Sequence, residues 1–207
     1  MHRLALLVIA KQPVAGRVKT RLTPPCTPAQ AAALAGAALR DTLEVVGRTP
    51  ASRRVLVFDG DADGWCPDGF EVLAQRGSGL GERLQAAFDD VAEPGVLVGM
   101  DTPQLTPAGL LAAARTLGRP EVDAVLGPTS DGGYWCVGFS PPVAGAFAGV
   151  PMSRADTCAA QRLRFAELGL RLGETGTLRD VDTIDDARAV AASSPNTQFA
   201  RALAKVL

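Results

Sequence analysis

Short apolar runs alternate with amphipathic, helix-like segments along almost the whole chain. The run at residues 4–10 is apolar throughout, which is typical of a strand buried on both faces. A helix is predicted after Thr27, because that N-cap residue is followed by Pro28 and by Gln30 three places on. Strands that alternate with helices predict an α/β fold, a three-layer sandwich around a mostly parallel central sheet, with residues 1–207 as a single domain.

The same patterns place the remaining elements. Strands are predicted at residues 54–58, 70–73, 96–100, 124–126 and 134–139. Helices are predicted at residues 28–46, 80–91, 106–117, 156–168, 183–192 and 198–206.

Charge is unevenly distributed along the chain. The sequence holds 21 Lys and Arg against 22 Asp and Glu, a formal net charge of -1, which argues against general nucleic-acid binding. The first 40 residues, however, contain no acid, and they carry these cations: Arg3, Lys11, Arg17, Lys19, Arg21 and Arg40. Such a local excess predicts an anionic small ligand rather than a long polyanion.

Composition narrows the function classes further. No apolar run approaches the ~18 residues of a membrane span, and no signal-peptide cleavage site follows the first run, so we expect a cytoplasmic protein without a membrane partner. The only histidine, His2, argues against His-based zinc sites and against Ser-His-Asp or Cys-His hydrolases. The 4 cysteines form no C-x-x-C pair and are expected to be reduced and mostly buried. Any metal should be a hard cation on carboxylates.

A basic segment, KQPVAGRVKTRL at residues 11–22, follows the first predicted strand. Gly16 allows the backbone of this segment to turn. The segment also carries four cations: Lys11, Arg17, Lys19 and Arg21. Ammonium and guanidinium groups together suit a di- or triphosphate, and ligands of open α/β sheets bind beyond the carboxyl ends of the strands. The segment is not a P-loop, because Val18 rather than glycine precedes Lys19. We favour phosphate binding over a solvated basic loop.

Two acidic motifs are candidate metal ligands. Asp101 directly follows a predicted central strand, where a carboxylate can bind Mg²⁺ beside a phosphate; a turn-capping role is the alternative. In the D-V-D-T motif at residues 180–183, either acid could complete a two-carboxylate site. Helix capping by Thr183, with the acids at the helix N-terminus, is the more common role of such a motif.

Two glycine-rich motifs and one acidic run are less specific. Residues 77–83, GSGLGER, could bring N–H groups to an anion or a base edge, or could form only a tight turn and a helix cap. Residues 131–134, DGGY, allow close approach of a ligand, but an ordinary hairpin turn is favoured on spacing alone. Residues 59–64, DGDADG, resemble the start of an EF-hand loop, yet the twelfth position is Phe70 rather than Glu, so we favour a surface turn over this or a D-x-D motif.

In this order, the motifs K-x-P-x-x-G-x-V-K-T-R-L, G-S-G-L-G-E-R-L, G-M-D-T-P, D-G-G-Y and D-V-D-T resemble one family. It is the bacterial family of small GT-A-fold proteins known as radical-SAM/selenodomain-associated transferases, or arsenosugar-biosynthesis-type glycosyltransferases. The resemblance runs from Lys11 to Asp182. More distantly, the chain is similar to molybdenum-cofactor and phospholactate guanylyltransferases. It departs from many GT-A enzymes because Pro103 replaces the second acid of D-x-D, and it lacks the G-G-x-S-x-R-M-G loop of the molybdenum-cofactor enzymes.

The resemblance implies a nucleotide-diphospho-sugar transferase fold, a nucleotide donor, a small-molecule acceptor and Mg²⁺ or Mn²⁺. It implies that Asp101 and Asp182 bind the metal. Four cations would hold the donor phosphates: Lys11, Arg17, Lys19 and Arg21. Gly79 and Gly81 would lie near the base or ribose, and Gly16 and Arg83 would also belong to the nucleotide-binding site. The acceptor would face Asp131, Gly132, Gly133 and Tyr134.

The leading hypothesis is metal-assisted glycosyl transfer from an NDP-sugar, with Lys19 and Asp101 in the catalytic centre and Asp131 as a base. One alternative is nucleotidyl transfer, in which a phosphorylated acceptor attacks an NTP and pyrophosphate is released. The other is a nucleotide-binding protein without catalysis. The oligomeric state is not predicted.

Overall fold

The computed structural model describes residues 4–207, so His2 and Arg3 lie outside the described residues. Within these described residues, seven strands form one sheet in the order β3-β2-β1-β4-β6-β5-β7, and six α-helices accompany them. The strands are β1 Ala5–Lys11, β2 Arg53–Asp59, β3 Glu71–Ala74, β4 Gly95–Gly99, β5 Ala124–Pro128, β6 Tyr134–Phe139 and β7 Leu172–Glu174. The helices are α1 Pro28–Arg48, α2 Leu80–Val91, α3 Pro107–Leu117, α4 Thr157–Glu167, α5 Ile184–Ser193 and α6 Gln198–Leu203.

The central sheet is mostly parallel, as the sequence predicts. Only β6 runs against its neighbours β4 and β5, because the short turn after β5 reverses the chain into a hairpin. Each predicted strand and helix is confirmed within a few residues. Two short elements were not predicted: β7, and a 3-10 turn at Thr20–Leu22, both of them only 3 residues long.

Helices cover both faces of the sheet, which confirms the three-layer arrangement. Leu39 of α1 and Leu110 of α3 are fully buried against one face, while Phe88 of α2 and Phe165 of α4 are fully buried against the other. A third apolar cluster, which includes the fully buried Phe199, joins α1 to α5 and α6. The apolar runs of β1 and β4 are buried on both faces for this reason.

The order of the strands brings three chain segments to one edge of the sheet. β1 lies between β2 and β4, and all three are parallel. Lys11 at the end of β1 is in register with Asp59 at the end of β2, and Ile9 is in register with Gly99 of β4. The basic segment therefore leaves the sheet directly beside Asp101, which follows β4.

The helix that begins after Thr27 shows the predicted capping box. The Thr27 hydroxyl accepts a hydrogen bond from the backbone N–H of Gln30, and the Gln30 side chain accepts one from the backbone N–H of Thr27. This box fixes the start of α1, and therefore the end of the basic segment that precedes it.

The cysteines are free thiols, with Cys26, Cys136 and Cys158 buried and Cys66 half-buried. Within the described part of the chain, none of the helices combines the length and the apolar character that crossing a bilayer requires.

Candidate active site

The basic segment folds back over the carboxyl end of β1. Gly16 (φ 78°) and Lys19 (φ 48°) both have left-handed backbone conformations, which turn the chain twice within four residues. Val18 and Leu22 are buried and anchor the segment to the apolar clusters. The cations are consequently held at the edge of the sheet rather than left on a free loop.

Lys19 is the most enclosed cation of the segment. Only 10% of its side chain is exposed, and its Nζ lies 2.7 Å from Asp101 Oδ1 and 3.4 Å from Asp182 Oδ1. Burial alone would lower the pKa of this ammonium, but the charge and hydrogen bond of Asp101 and the charges of Asp182 and Asp180 outweigh burial and raise the pKa above its usual value. Lys19 therefore stays charged at neutral pH.

Asp182 reaches the same place through the D-V-D-T segment. The Val181 N–H donates to the Asp101 carbonyl oxygen at 3.0 Å, and the Val181 side chain is buried. Thr183 begins α5 through a capping box with Asp186, which confirms the capping interpretation of this motif. Arg21 Nη1 lies 2.8 Å from Asp182 Oδ2, so Asp182 contacts two cations of the basic segment.

Asp180 is a half-buried carboxyl group that the sequence did not single out from its neighbour Asp182. Burial, reinforced by the negative charges of Asp101 and Asp131, raises its pKa to about 7, although the Lys19 ammonium opposes the shift. The D-V-D pattern around an apolar residue was the available signal. It could not show how deeply Asp180 would be buried, because that depends on how Val181 docks on Asp101.

One cavity of about 250 Å³ collects the predicted phosphate-binding and metal-binding side chains. Its lining comprises cations, carboxylates and a few small or apolar residues: Lys11, Arg17, Val18, Lys19, Thr20, Arg21, Ala35, Met100, Asp101 and Asp182. A larger and shallower cavity, about 430 Å³, lies beside α5 and α6, but alanines, leucines and a proline dominate its lining and no carboxylate contributes. The smaller cavity is therefore the candidate active site, because its lining combines cations with carboxylates.

Asp101 and Asp182 converge on a single cation position, which the Lys19 ammonium marks. Two carboxylates suit Mg²⁺ or Mn²⁺, whose remaining ligands in such sites are substrate phosphates and water. Over residues 4–207, no three His, Cys, Asp or Glu side chains form a group that could hold a metal by themselves. The donor set therefore fits a divalent cation that is held jointly by these two carboxylates and a bound phosphate.

The glycine-rich segment lies next to this cavity but does not line it. Gly79 is the N-cap of α2, and Arg83 Nη1 lies 2.8 Å from Asp59 Oδ2 at the end of β2. The Ser78 N–H and hydroxyl both donate to Glu82 at 2.7 Å. A Cβ on Gly81 would come within 3.3 Å of Met152. The helix-cap alternative is thus realised, and a nucleotide-binding role for Gly79, Gly81 and Arg83 stays a prediction.

The DGGY segment forms a tight hairpin turn, with Asp131 at its tip. Asp131 Oδ1 accepts hydrogen bonds from the Thr129 hydroxyl at 2.6 Å and from the Gly133 N–H at 3.1 Å. Asp131 is exposed, and its charge acts on Asp180, so it lies near the carboxylate group around Lys19. A role as base stays a prediction.

Gly132 and Tyr134, two other members of the predicted acceptor site, do not line the cavity. A Cβ on Gly132 would lie 1.9 Å from the Ala155 carbonyl oxygen, so Ala155 packs closely against this glycine, and an acceptor-binding role for Gly132 stays a prediction. The Tyr134 hydroxyl contacts Met152 Sδ at 3.7 Å and Gln161 Oε1 at 3.4 Å, and burial raises the pKa of this phenol. The structure therefore does not bring Tyr134 to the cavity, because successive side chains of β6 point to opposite faces of the sheet.

The acidic run after β2 is a surface turn, as we expected. Asp61 and Asp63 are exposed, and Asp61 Oδ1 accepts a hydrogen bond from the Asp63 N–H at 3.0 Å. The run is therefore a local Asx turn at the surface.

Residues 42–154, more than half of the chain, match the family model described as "Uncharacterized protein conserved in bacteria (DUF2064)". The chain belongs to this family. The DUF2064 match includes Asp101 and the hairpin turn at Asp131, but it ends before Asp182.

Solved structures extend the comparison beyond the DUF2064 match. A protein from Desulfovibrio desulfuricans G20, provisionally assigned as a nucleotide-diphospho-sugar transferase, is 28% identical; the alignment covers 99% of this chain and 95% of that one, with a TM-score of 0.87. Two further neighbours share the fold at lower identity. CMP:2-keto-3-deoxy-manno-octonic acid synthetase, solved with CTP, has 12% identity, coverage of 92% and 99%, and a TM-score of 0.60. Rv0371c from Mycobacterium tuberculosis H37Rv, solved with manganese, has 23% identity, coverage of 91% and 97%, and a TM-score of 0.55.

The nucleotide-diphospho-sugar transferase fold is thereby confirmed. Structural neighbours of this DUF2064 chain are transferases. The prediction that the chain is an enzyme is confirmed at the level of a transferase. A search among curated proteins found no match.

Proposed function

We propose that the protein transfers a group from a nucleotide donor to a small-molecule acceptor, and that the donor phosphates bind in the cavity lined by Lys11, Arg17, Lys19 and Arg21. The observation that carries this proposal is the meeting of these cations with Asp101 and Asp182 in one cavity of about 250 Å³ at the carboxyl ends of the parallel strands. Residues 1–207 act as one transferase domain.

Each side chain has a distinct role in this proposal. Arg17 and Arg21 offer planar forks that can hold phosphate oxygens in a fixed orientation, and Lys11 adds a point charge at the end of β1. Lys19 stabilises the negative charge that develops on the departing phosphate, and its burial strengthens this effect because water is excluded.

Asp101 and Asp182 would hold Mg²⁺ or Mn²⁺ against the donor phosphates. The metal, when bound, supplies neutralisation of phosphate charge and stabilises the leaving group. The manganese in the Rv0371c structure supports this assignment by analogy of fold. Asp131, at the tip of the neighbouring turn, would accept the proton of the acceptor hydroxyl or thiol.

We propose glycosyl transfer from an NDP-sugar as the reaction. The nearly full-length similarity to the Desulfovibrio protein supports it, as does the motif resemblance to radical-SAM/selenodomain-associated transferases, a narrower grouping that we also propose for this chain. Free, mostly buried thiols and a nucleotide donor are consistent with a cytoplasmic location.

Nucleotidyl transfer is the second candidate, and the number of cations favours it. Four cationic side chains around one cavity offer enough donors for the oxygens of a triphosphate, and CMP:2-keto-3-deoxy-manno-octonic acid synthetase was solved with CTP on the same fold. In that reaction the same side chains would stabilise departing pyrophosphate.

The experiment that separates the two reactions is analysis of the released product. Purified protein is incubated with Mg²⁺ or Mn²⁺, a small-molecule extract as acceptor source, and either a panel of NDP-sugars or the four NTPs, and the products are followed by ³¹P NMR. Release of a nucleoside diphosphate from one NDP-sugar, absent in Asp101→Asn, would support glycosyl transfer. Release of pyrophosphate would support nucleotidyl transfer, and binding without either product would favour a non-catalytic nucleotide-binding protein.

A further inference from the structure

Lys19 lies where a divalent cation would have to bind. Its Nζ lies between carboxylate oxygens of Asp101 and Asp182, at 2.7 Å and 3.4 Å, and the side chain is 10% exposed. These are the two carboxylates that converge on the metal position proposed above. A divalent cation and the ammonium cannot share that position, because two cations a few ångströms apart repel strongly in a partly buried site.

We propose that Lys19 is the resident counter-cation of this site, and that a divalent metal binds to the nucleotide-free protein only by displacing the Lys19 ammonium from Asp101 and Asp182. This inference rests on the proposed function for the identity of the two ligands. It adds a competition between the metal and the Lys19 ammonium for Asp101 and Asp182, which the transferase reaction by itself does not require.

The surroundings of Lys19 give the displaced ammonium somewhere to go. Lys19 lines the same cavity as Lys11 and Arg17, so rotation of its side chain carries Nζ out of the carboxylate pair and into the space proposed for the donor phosphates. The metal would then bind the two carboxylates at the same time as the Lys19 ammonium binds the donor phosphates. In the nucleotide-free protein the metal gains nothing from Lys19 and must compete with it.

Arg17 provides a matched control. It lines the same cavity, but within residues 4–207 it makes no ion pair with a carboxylate. Arg17→Met removes one positive charge from the cavity without freeing Asp101 or Asp182. Lys19→Met removes one positive charge and frees the position between Asp101 and Asp182, although Arg21 still pairs with Asp182 Oδ2.

The test is a Mn²⁺ titration of the nucleotide-free protein, followed by electron paramagnetic resonance of unbound Mn²⁺. We expect Lys19→Met to bind Mn²⁺ about tenfold or more tightly than the wild type, and Arg17→Met to change the affinity by about twofold at most. Equal Mn²⁺ affinities of wild type and Lys19→Met would overturn the proposal, as would an equal gain in both variants. Because no nucleotide is present, this outcome is distinguishable from failure of the transferase proposal, which the product analysis above decides.

A measurement on the wild type keeps the proposal testable if Lys19→Met does not fold. The rate at which an amine-acetylating reagent modifies Lys19 is measured by mass spectrometry with and without Mn²⁺, with exposed Lys205 as internal reference. Displacement by the metal should raise the modification rate of Lys19 several-fold relative to Lys205. An unchanged ratio at Mn²⁺ concentrations that saturate the protein would contradict the competition.

Discussion

Two carboxylates flank the end of β1, and their surroundings differ strongly. Asp59 is the last residue of β2 on one side and pairs with Arg83 at 2.8 Å, whereas Asp101 follows β4 on the other side and pairs with Lys19 at 2.7 Å. Arg83 has 31% of its side chain exposed, but Lys19 has only 10%. Asp101 is also joined by Asp182 and Asp180, whereas Asp59 stands beside an exposed turn.

The difference shows what converts an acid at a strand end into part of a site. Both carboxylates lie at the carboxyl ends of buried strands that flank β1, so their positions relative to the sheet are similar. Asp101 differs because a distant segment docks on it through the hydrogen bond from the Val181 N–H. Convergence of segments far apart in the chain, rather than the strand end alone, concentrates charge around Lys19.

The first prediction asks whether that difference extends to catalysis. Asp101→Asn should lower kcat/KM by about 10²–10³-fold, because it removes a carboxylate from the proposed cation position. Asp59→Asn should lower it by less than about tenfold, since its partner Arg83 lies beside the cavity and does not line it. Steady-state kinetics on both variants would test this, and equal losses would mean that the two sides of β1 do not differ in function.

The second prediction compares the two cations that pair with these acids. Lys19→Met should reduce kcat by about 10²-fold, because the role proposed for Lys19 is to stabilise charge that grows in the transition state. Arg83→Met should raise KM for the nucleotide and leave kcat within about threefold, as expected for a group that only binds the nucleotide. If Arg83→Met lowered kcat as much as Lys19→Met does, the catalytic centre would have to be moved toward β2.

The third prediction concerns the pH dependence of stability, which should distinguish the half-buried acid from exposed ones. The pKa of Asp180 is raised to about 7 in the folded protein, above its usual value, so this carboxyl stabilises the fold at low pH and that contribution is lost as pH rises through 7. Asp180→Asn stays neutral. Its stability relative to the wild type should therefore increase by about 1–2 kcal/mol between about pH 5 and about pH 8.

The matched control for this prediction is Asp68→Asn, an exposed acid of the turn after β2. Its stability difference from the wild type should be nearly the same at both pH values. Urea unfolding of the three proteins gives the free energies, and a pH-independent effect of Asp180→Asn would show that Asp180 is ionised in the fold.

The elements of the fold were predictable because hydrophobic periodicity and capping residues act locally. The capping box at Thr27 and the uninterrupted apolar run of β1 each depend on a few neighbouring residues. β7 was missed because a three-residue strand carries almost no periodic signal. The antiparallel direction of β6 depends on the hairpin turn, which the sequence offered only as one of two alternatives.

The sequence singled out residues that meet in the candidate cavity, but it did not reveal their contacts. Lys19, Asp101 and Asp182 were singled out from their places in motifs, yet no local rule shows that the lysine bridges the two acids. Likewise, the pattern DGGY does not reveal that Tyr134 points into the layer beneath α4, or that Ala155 fills the space beside Gly132. These outcomes depend on packing between segments that are distant in the chain.

The most direct measurement is thermal unfolding of the wild type and of Asp101→Asn with a panel of NDP-sugars and NTPs, each with and without Mg²⁺ or Mn²⁺. At ~100-fold excess over the dissociation constant, a bound nucleotide should stabilise the wild type by roughly 2.7 kcal/mol. The account predicts stabilisation by at least one nucleotide that needs the metal and is lost in Asp101→Asn. Absence of a shift with every nucleotide, with either metal present, would contradict the assignment of the cavity at Lys19 as a nucleotide-phosphate site.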